Sequence, residues 1–159
     1  MEQRLDYGRI GPGGVRAMAG LERYVREESG LAPELLELVK LRASQINGCA
    51  YCLDMHTKDA RALGMTEQRL YLLSAWREAP CYSARERAAL AWAEAVTLVS
   101  AAGVSDELYR EARSELSEKE LVDLTLAVVV INGWNRLAIS FRPVVGSYQP
   151  PGFATAGTT

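Results

Sequence analysis

The chain has 159 residues, 48% of them hydrophobic, with one histidine, three cysteines and a formal net charge of -2. That length suits one ordinary domain, able to bury a core without disulfide staples. Acidic and basic side chains are interspersed, so no field is set up for phosphate backbones and nucleic acid is not an expected partner.

From Met1 to Met18 the chain carries Glu2, Arg4, Asp6, Arg9 and Arg16, with no apolar run leading to a small-residue cleavage site. The reading is a cytoplasmic protein without a secretion signal. Pro33 suits the first turn of a helix, and Leu36, Val39, Ala43 and Ile46 follow at spacings of three and four, one buried stripe that Asn47-Gly48 terminates. A short helix is expected to begin at Gly48 or Cys49 and run to Leu63, with Gly64 supplying the positive φ common at helix ends. Thr66 caps a segment holding Leu70, Leu72, Leu73 and Trp76 that stops before Pro80.

Ser83-Ala84-Arg85-Glu86 is a capping box ahead of a long helix through Ala88 to Ser100 that ends near Gly103. Ser117-Glu118-Lys119-Glu120 is a second box, leading into Leu121, Leu124, Val128 and Ile131 at helical spacing. The β-branched run from Val128 to Ile131 has strand propensity, but the cap and the flanking period place it in a helix. The uncharged apolar stretch Leu124 to Trp134 is shorter than the ~20 residues of a membrane span, so no membrane is expected. With no alternating strand pattern, the fold class is all-α. One domain is expected over 1–145, followed by a flexible tail over 146–159, where Pro150-Pro151-Gly152 and small polar residues offer little area to bury.

Cys49-Ala50-Tyr51-Cys52 carries the chemistry. An intracellular C-x-x-C is more often redox-active or metal-binding than structural. On the first turn of a helix, unpaired N–H groups and the macrodipole favour thiolate, and the i, i+3 spacing puts both sulfurs on one face within reach of a disulfide. His56, one turn beyond Cys52, can act as its base, since an imidazole titrates at about 6.5. Glu37 on the preceding helix is a candidate to orient that base.

Other readings stand beside these. The two cysteines can be small buried hydrophobes, or zinc ligands with His56 and either Cys81 or Glu37 as the fourth. Glu37 can equally be an exposed partner of Lys40 at i, i+3. Cys81, after Pro80, reads as a spectator. Trp76, Trp92 and Trp134 read as core or oligomer contacts. Asn132, Asn135 and Arg136 are polar groups in an interior stretch, suited to hydrogen bonds across helices or near the site.

The run from Leu38 to Cys52 with His56 following, spaced as glutamate, eleven residues, C-x-x-C, three residues and histidine, closely resembles the signature of the alkylhydroperoxidase D (AhpD) family within the carboxymuconolactone decarboxylase-like superfamily. Ser83 to Leu90 and Ile131 to Arg136 resemble later family segments, so the resemblance spans about residues 15 to 145. It implies an AhpD-like helical bundle with the C-x-x-C at the start of a short helix, assembled as a homo-oligomer (dimer, trimer or hexamer). It further implies a peroxidase cycle without metal, haem or flavin cofactors, in which Cys52 attacks peroxide, Cys49 resolves it, and His56 and Glu37 relay the proton from Cys52. The implied reductant is an external dithiol such as a lipoyl group, or a peroxiredoxin-system partner. Some family members have a histidine before the second cysteine where this chain has Tyr51. Two other functions remain in view: a non-enzymatic dithiol relay or redox adaptor, and a ring-lactone decarboxylase of the superfamily, whose members generally do not depend on such a pair.

Overall fold

Proline and serine punctuation sets where the helices start. The computed structural model describes residues 2–150, and among these it contains nine α-helices, one 3-10 turn and no strand, as the sequence predicts. α1 (Tyr7–Ile10) and α2 (Pro12–Glu27) lead into α3 (Pro33–Asn47), α4 (Ala50–Ala62) and α5 (Glu67–Leu72). α6 (Ala84–Thr97), α7 (Val99–Ala102), α8 (Asp106–Glu115) and α9 (Glu118–Phe141) complete the order. Pro12 and Pro33 occupy first-turn positions of α2 and α3, where a missing N–H costs nothing. Both capping boxes form as expected, Ser83 with Glu86 and Ser117 with Glu120.

Two boundaries differ from the sequence reading. The helix expected to reach Ser100 breaks at Leu98 and resumes as the single turn α7 before Gly103. Helix α5 is short and runs into the 3-10 turn Leu73–Ala75. α1, α2 and α8 had no sequence signal strong enough to be singled out.

α3 lies at the centre, packed on α4, α6 and α9. Its Leu35, Leu36 and Val39 join Trp92, Leu124 and Val128 in one apolar cluster, while Leu38 and Leu41 join Leu73, Trp76 and Leu90 in another. Leu124 is fully buried, so Leu124→Ala would cost about 2–5 kcal/mol. Toward their ends, α3 and α9 exchange apolar contact for a polar seam. Asn47 Nδ2 donates to Asn132 Oδ1 at 2.9 Å and Asn135 Oδ1 at 2.8 Å, and Asn135 Nδ2 donates to Ser44 Oγ at 3.0 Å. Satisfied buried bonds of this kind fix one register of the two helices, which anchors the α3–α4 corner.

α9 is longer than its uncharged run suggested: at 24 residues, with an 18-residue window of mean hydropathy 1.4, it is long and apolar enough to cross a membrane by length and composition. In this fold it packs on α2, α3, α4 and α6 and buries Asp123, Asn132 and Asn135, the placement of a core helix. The first residues of the segment expected as a flexible tail make contacts with α4. Gly146 N–H donates to Asp54 Oδ2 at 3.2 Å, Lys58 Nζ donates to the Tyr148 carbonyl at 2.9 Å, and Tyr148 O–H donates to Asp59 Oδ1 at 2.7 Å. Residues 146–150 therefore lie against α4; residues 151–159 fall outside the described residues.

Candidate active site

The corner between α3 and α4 is built by one glycine. Gly48 adopts φ 69°, and the Cys49 N–H bonds back to the Ser44 carbonyl at 3.0 Å, the six-to-one bond of a Schellman ending. The residue that closes α3 thus also opens α4. Cys49 is the N-cap of α4, its sulfur accepting from the Cys52 N–H at 3.3 Å. The two cysteines are joined as a disulfide with Cα atoms 5.4 Å apart, and each is only 1% exposed.

His56 follows one turn later, buried at 3% exposure. Its Nδ1 lies 2.7 Å from Glu37 Oε2, a carboxylate projecting from α3. Burial pushes the Glu37 carboxyl up, but the hydrogen bond and charge of His56, with Lys40 and Arg26, outweigh it and hold the group below its usual range. An ionised Glu37 accepts, so Nδ1 carries the shared proton and Nε2 is the nitrogen left for chemistry. The expected pairing of Glu37 with Lys40 is not the one found. Lys40 is fully buried and pairs with Glu22 of α2.

Asp59, one turn past His56, completes a buried cluster in which ligand atoms of Glu37, His56 and Asp59 lie within 4.8 Å of one another. Arg26 of α2 stands 3.6 Å from Glu37 Oε1 and 3.8 Å from Asp59 Oδ2, so a cation of the chain itself balances the two carboxylates. Burial, followed by the hydrogen bond to Asp59, holds the Tyr148 phenol above its ordinary range and keeps it a donor. Cys81 packs with the Leu38–Trp76–Tyr82 cluster, whereas Cys49 and Cys52 share a cluster with Ala43 and Ile131. Of the two fourth ligands considered for zinc, Cys81 therefore lies apart from Cys49 and Cys52, and Glu37 lies beside His56.

Cys52 and His56 open onto one cavity of about 300 Å³, walled by Tyr51, Met55, Trp134 and Tyr148 and edged by Glu22 and Arg26. Of the residues gathered at this corner, sequence reasoning singled out Cys49, Cys52, His56 and Glu37, and did not single out Asp59, Arg26, Glu22 or Tyr148. Asp59 shares the His56 face at i+3 and was readable; Arg26, Glu22 and Tyr148 arrive from distant segments and left no local signal. Asn132 and Asn135 support the corner rather than the cavity.

The carboxymuconolactone decarboxylase family profile matches residues 12–95. The uncharacterized protein YdfG of Bacillus subtilis (strain 168) is 46% identical over 88% of this chain and 95% of its own length. A crystal structure from Agrobacterium tumefaciens, of a protein of unknown function offered as a candidate antioxidant defence protein AhpD, superimposes with TM-score 0.86 at 43% identity, covering 94% of this chain and 99% of that one. An uncharacterized peroxidase-related protein from Silicibacter sp. TM1040 gives TM-score 0.72 at 27% identity, over 80% of this chain and 67% of that one. This chain, with its C-x-x-C at the start of α4, belongs to the carboxymuconolactone decarboxylase family and is AhpD-like within it.

Proposed function

We propose that the protein is a thiol-dependent hydroperoxidase of antioxidant defence, cycling through the Cys49–Cys52 disulfide. The observation that carries this reading is the buried Glu37–His56 pair at 2.7 Å, whose histidine lines one cavity with Cys52 beside a disulfide-bonded partner cysteine. His56 Nε2 takes the Cys52 proton, and Glu37 fixes the tautomer and stabilises the imidazolium that results. Cys52 thiolate attacks the terminal peroxide oxygen, the O–O bond breaks, and the departing alkoxide takes a proton to leave as alcohol. The Cys52 sulfenic acid condenses with the Cys49 thiol, releasing water and forming the disulfide. An external dithiol returns both sulfurs to thiols. A lipoyl-bearing or peroxiredoxin-system partner, homo-oligomeric assembly and a cytoplasmic location belong to the same proposal.

The test is steady-state consumption of cumene hydroperoxide with dihydrolipoamide as reductant. The expected result is turnover by the wild type and none above background for Cys52→Ser. Equal rates for the two proteins would overturn the proposal. One equivalent of oxidation without turnover would indicate a dithiol relay instead.

A further inference from the structure

The two cysteines of the disulfide line different cavities. Cys52 lines the one it shares with His56. Cys49 lines a second, of about 450 Å³, walled by Ile139, Pro143, Val144 and Val145, with Arg142 its one charged residue among the described residues. Among the described residues only Tyr51 and Ala138 line both, so this pair forms the partition. Ile139, Val144 and Val145 are exposed apolar side chains, and Arg142 turns the chain at the end of α9 with φ 57°, which brings residues 143–145 back over the α4 start.

We infer that the two half-reactions use opposite sides of the disulfide: peroxide reaches Cys52 from the His56 cavity, and a slender aliphatic dithiol reaches Cys49 through the cavity walled by residues 139–145. This rests on the peroxidase reading and its dithiol reductant, and adds to it the side from which the reductant enters. Three features select that occupant. Cys49 is 1% exposed, so a sulfur on a thin arm can reach it and one on a flat protein face cannot. The walls are apolar and suit a methylene chain. A disulfide sulfur reacts with a thiolate.

In the step itself, the arm's thiolate attacks Cys49 Sγ, and the S–S electron pair leaves on Cys52. That thiolate departs into the cavity holding His56. The arm's second thiol loses its proton to water, attacks the arm's own sulfur in the mixed disulfide and expels the Cys49 thiolate, which the Cys52 N–H already faces. The two protons that the arm's thiols gave up to water return to the Cys49 and Cys52 thiolates, so two electrons and two protons pass to the protein in all, and the arm departs as a cyclic disulfide.

Two rapid-mixing measurements on the full chain test this: reduction of the disulfide by dihydrolipoamide, and oxidation of the dithiol protein by cumene hydroperoxide. Val144→Trp and, independently, Ile139→Trp fill the Cys49 side and are expected to slow reduction at least about tenfold, since small displacements of reacting atoms carry penalties of that size or more. Oxidation by peroxide is expected to stay within about twofold of wild type. Met55→Trp, on the Cys52 side, reverses the pattern. Unchanged reduction in both groove variants, or both half-reactions slowed alike, would overturn the inference. A second measurement needs no bulky substitution: with oxidised lipoamide, Cys52→Ser forms a mixed disulfide at Cys49 and Cys49→Ser forms none at Cys52, whereas an adduct at Cys52 alone refutes the assignment. Neither reduction by dihydrolipoamide nor the adduct involves peroxide, so failure of the peroxidase reading shows separately, as absent oxidation.

Discussion

α4 begins differently from α6 and α9. Ser83 and Ser117 each accept a backbone N–H through the hydroxyl and donate their own backbone N–H to a glutamate carboxylate. At the start of α4 the same position holds Cys49, whose sulfur takes the Cys52 N–H and has no reciprocal partner. Sulfur is a poorer acceptor than a hydroxyl. Of these three starts, the one with the weakest cap places a sulfur against the Cys52 N–H, which has no partner within the helix, and against the helix dipole. The difference is what the proposed thiol chemistry requires of this corner, whose rigidity comes from the Gly48 ending and the Asn47–Asn132–Asn135 seam beneath it.

That contrast can be broken or sharpened in several ways. The largest effect is expected for Cys52→Ser, which removes the sulfur facing His56 while keeping the α4 cap: peroxide turnover falls to background, measured by loss of hydroperoxide, and circular dichroism stays that of the wild type. Next comes Glu37→Gln, which leaves the His56 tautomer unsupported and lowers turnover about a hundredfold, as general-base support is worth. The same variant changes acid stability. Glu37 is held below its ordinary 4.5, so its ionised form contributes stability that is full above that value and lost as pH falls through the lowered one. A plot of denaturation midpoint against pH is expected to be shallower on its acid limb in Glu37→Gln.

Smaller effects separate the caps themselves. Ser117→Ala, at the start of the core helix α9, is expected to cost about 1 kcal/mol in urea unfolding. Cys49→Ser, compared with the reduced wild type, is expected to leave stability unchanged or raise it by a few tenths of a kcal/mol, because a hydroxyl caps better than a thiol. A loss as large as that of Ser117→Ala would mean the α4 cap is structural after all.

The fold was largely readable because its punctuation is local. Pro33, Gly48, Gly64, Thr66, Ser83 and Ser117 act through their own backbone or the next turn, so their consequences are visible without a tertiary structure. The Val128–Ile131 run, ambiguous by propensity, resolved to helix because the Ser117 cap and the period on either side outweigh β-branching. The break at Leu98 was not visible, since β-branched Thr97 and Val99 disfavour helix only slightly and no glycine or proline marks the stop.

At the site, Cys49, Cys52 and His56 share one short helix and could be connected by spacing, and Glu37 by the family interval. Lys40, at i+3 from Glu37, offered the competing reading of a surface pair, whereas α3 is buried nearly all round and Lys40 turns to Glu22 instead. Arg26 and Tyr148 come from α2 and from the chain after α9, and only the tertiary structure brings them to Asp59.

The central claim is that Cys52, assisted by His56 and Glu37, is oxidised by peroxide and captured by Cys49. Acid-quenched mass spectrometry of the reduced chain after one equivalent of cumene hydroperoxide tests it most directly. The account predicts rapid loss of two hydrogens in the wild type with the Cys49–Cys52 disulfide in the digest, and a sulfenic acid retained on Cys52 in Cys49→Ser. Thiols that remain reduced through the peroxide pulse, or a sulfenic acid found on Cys49 in Cys52→Ser at the wild-type rate, would contradict it.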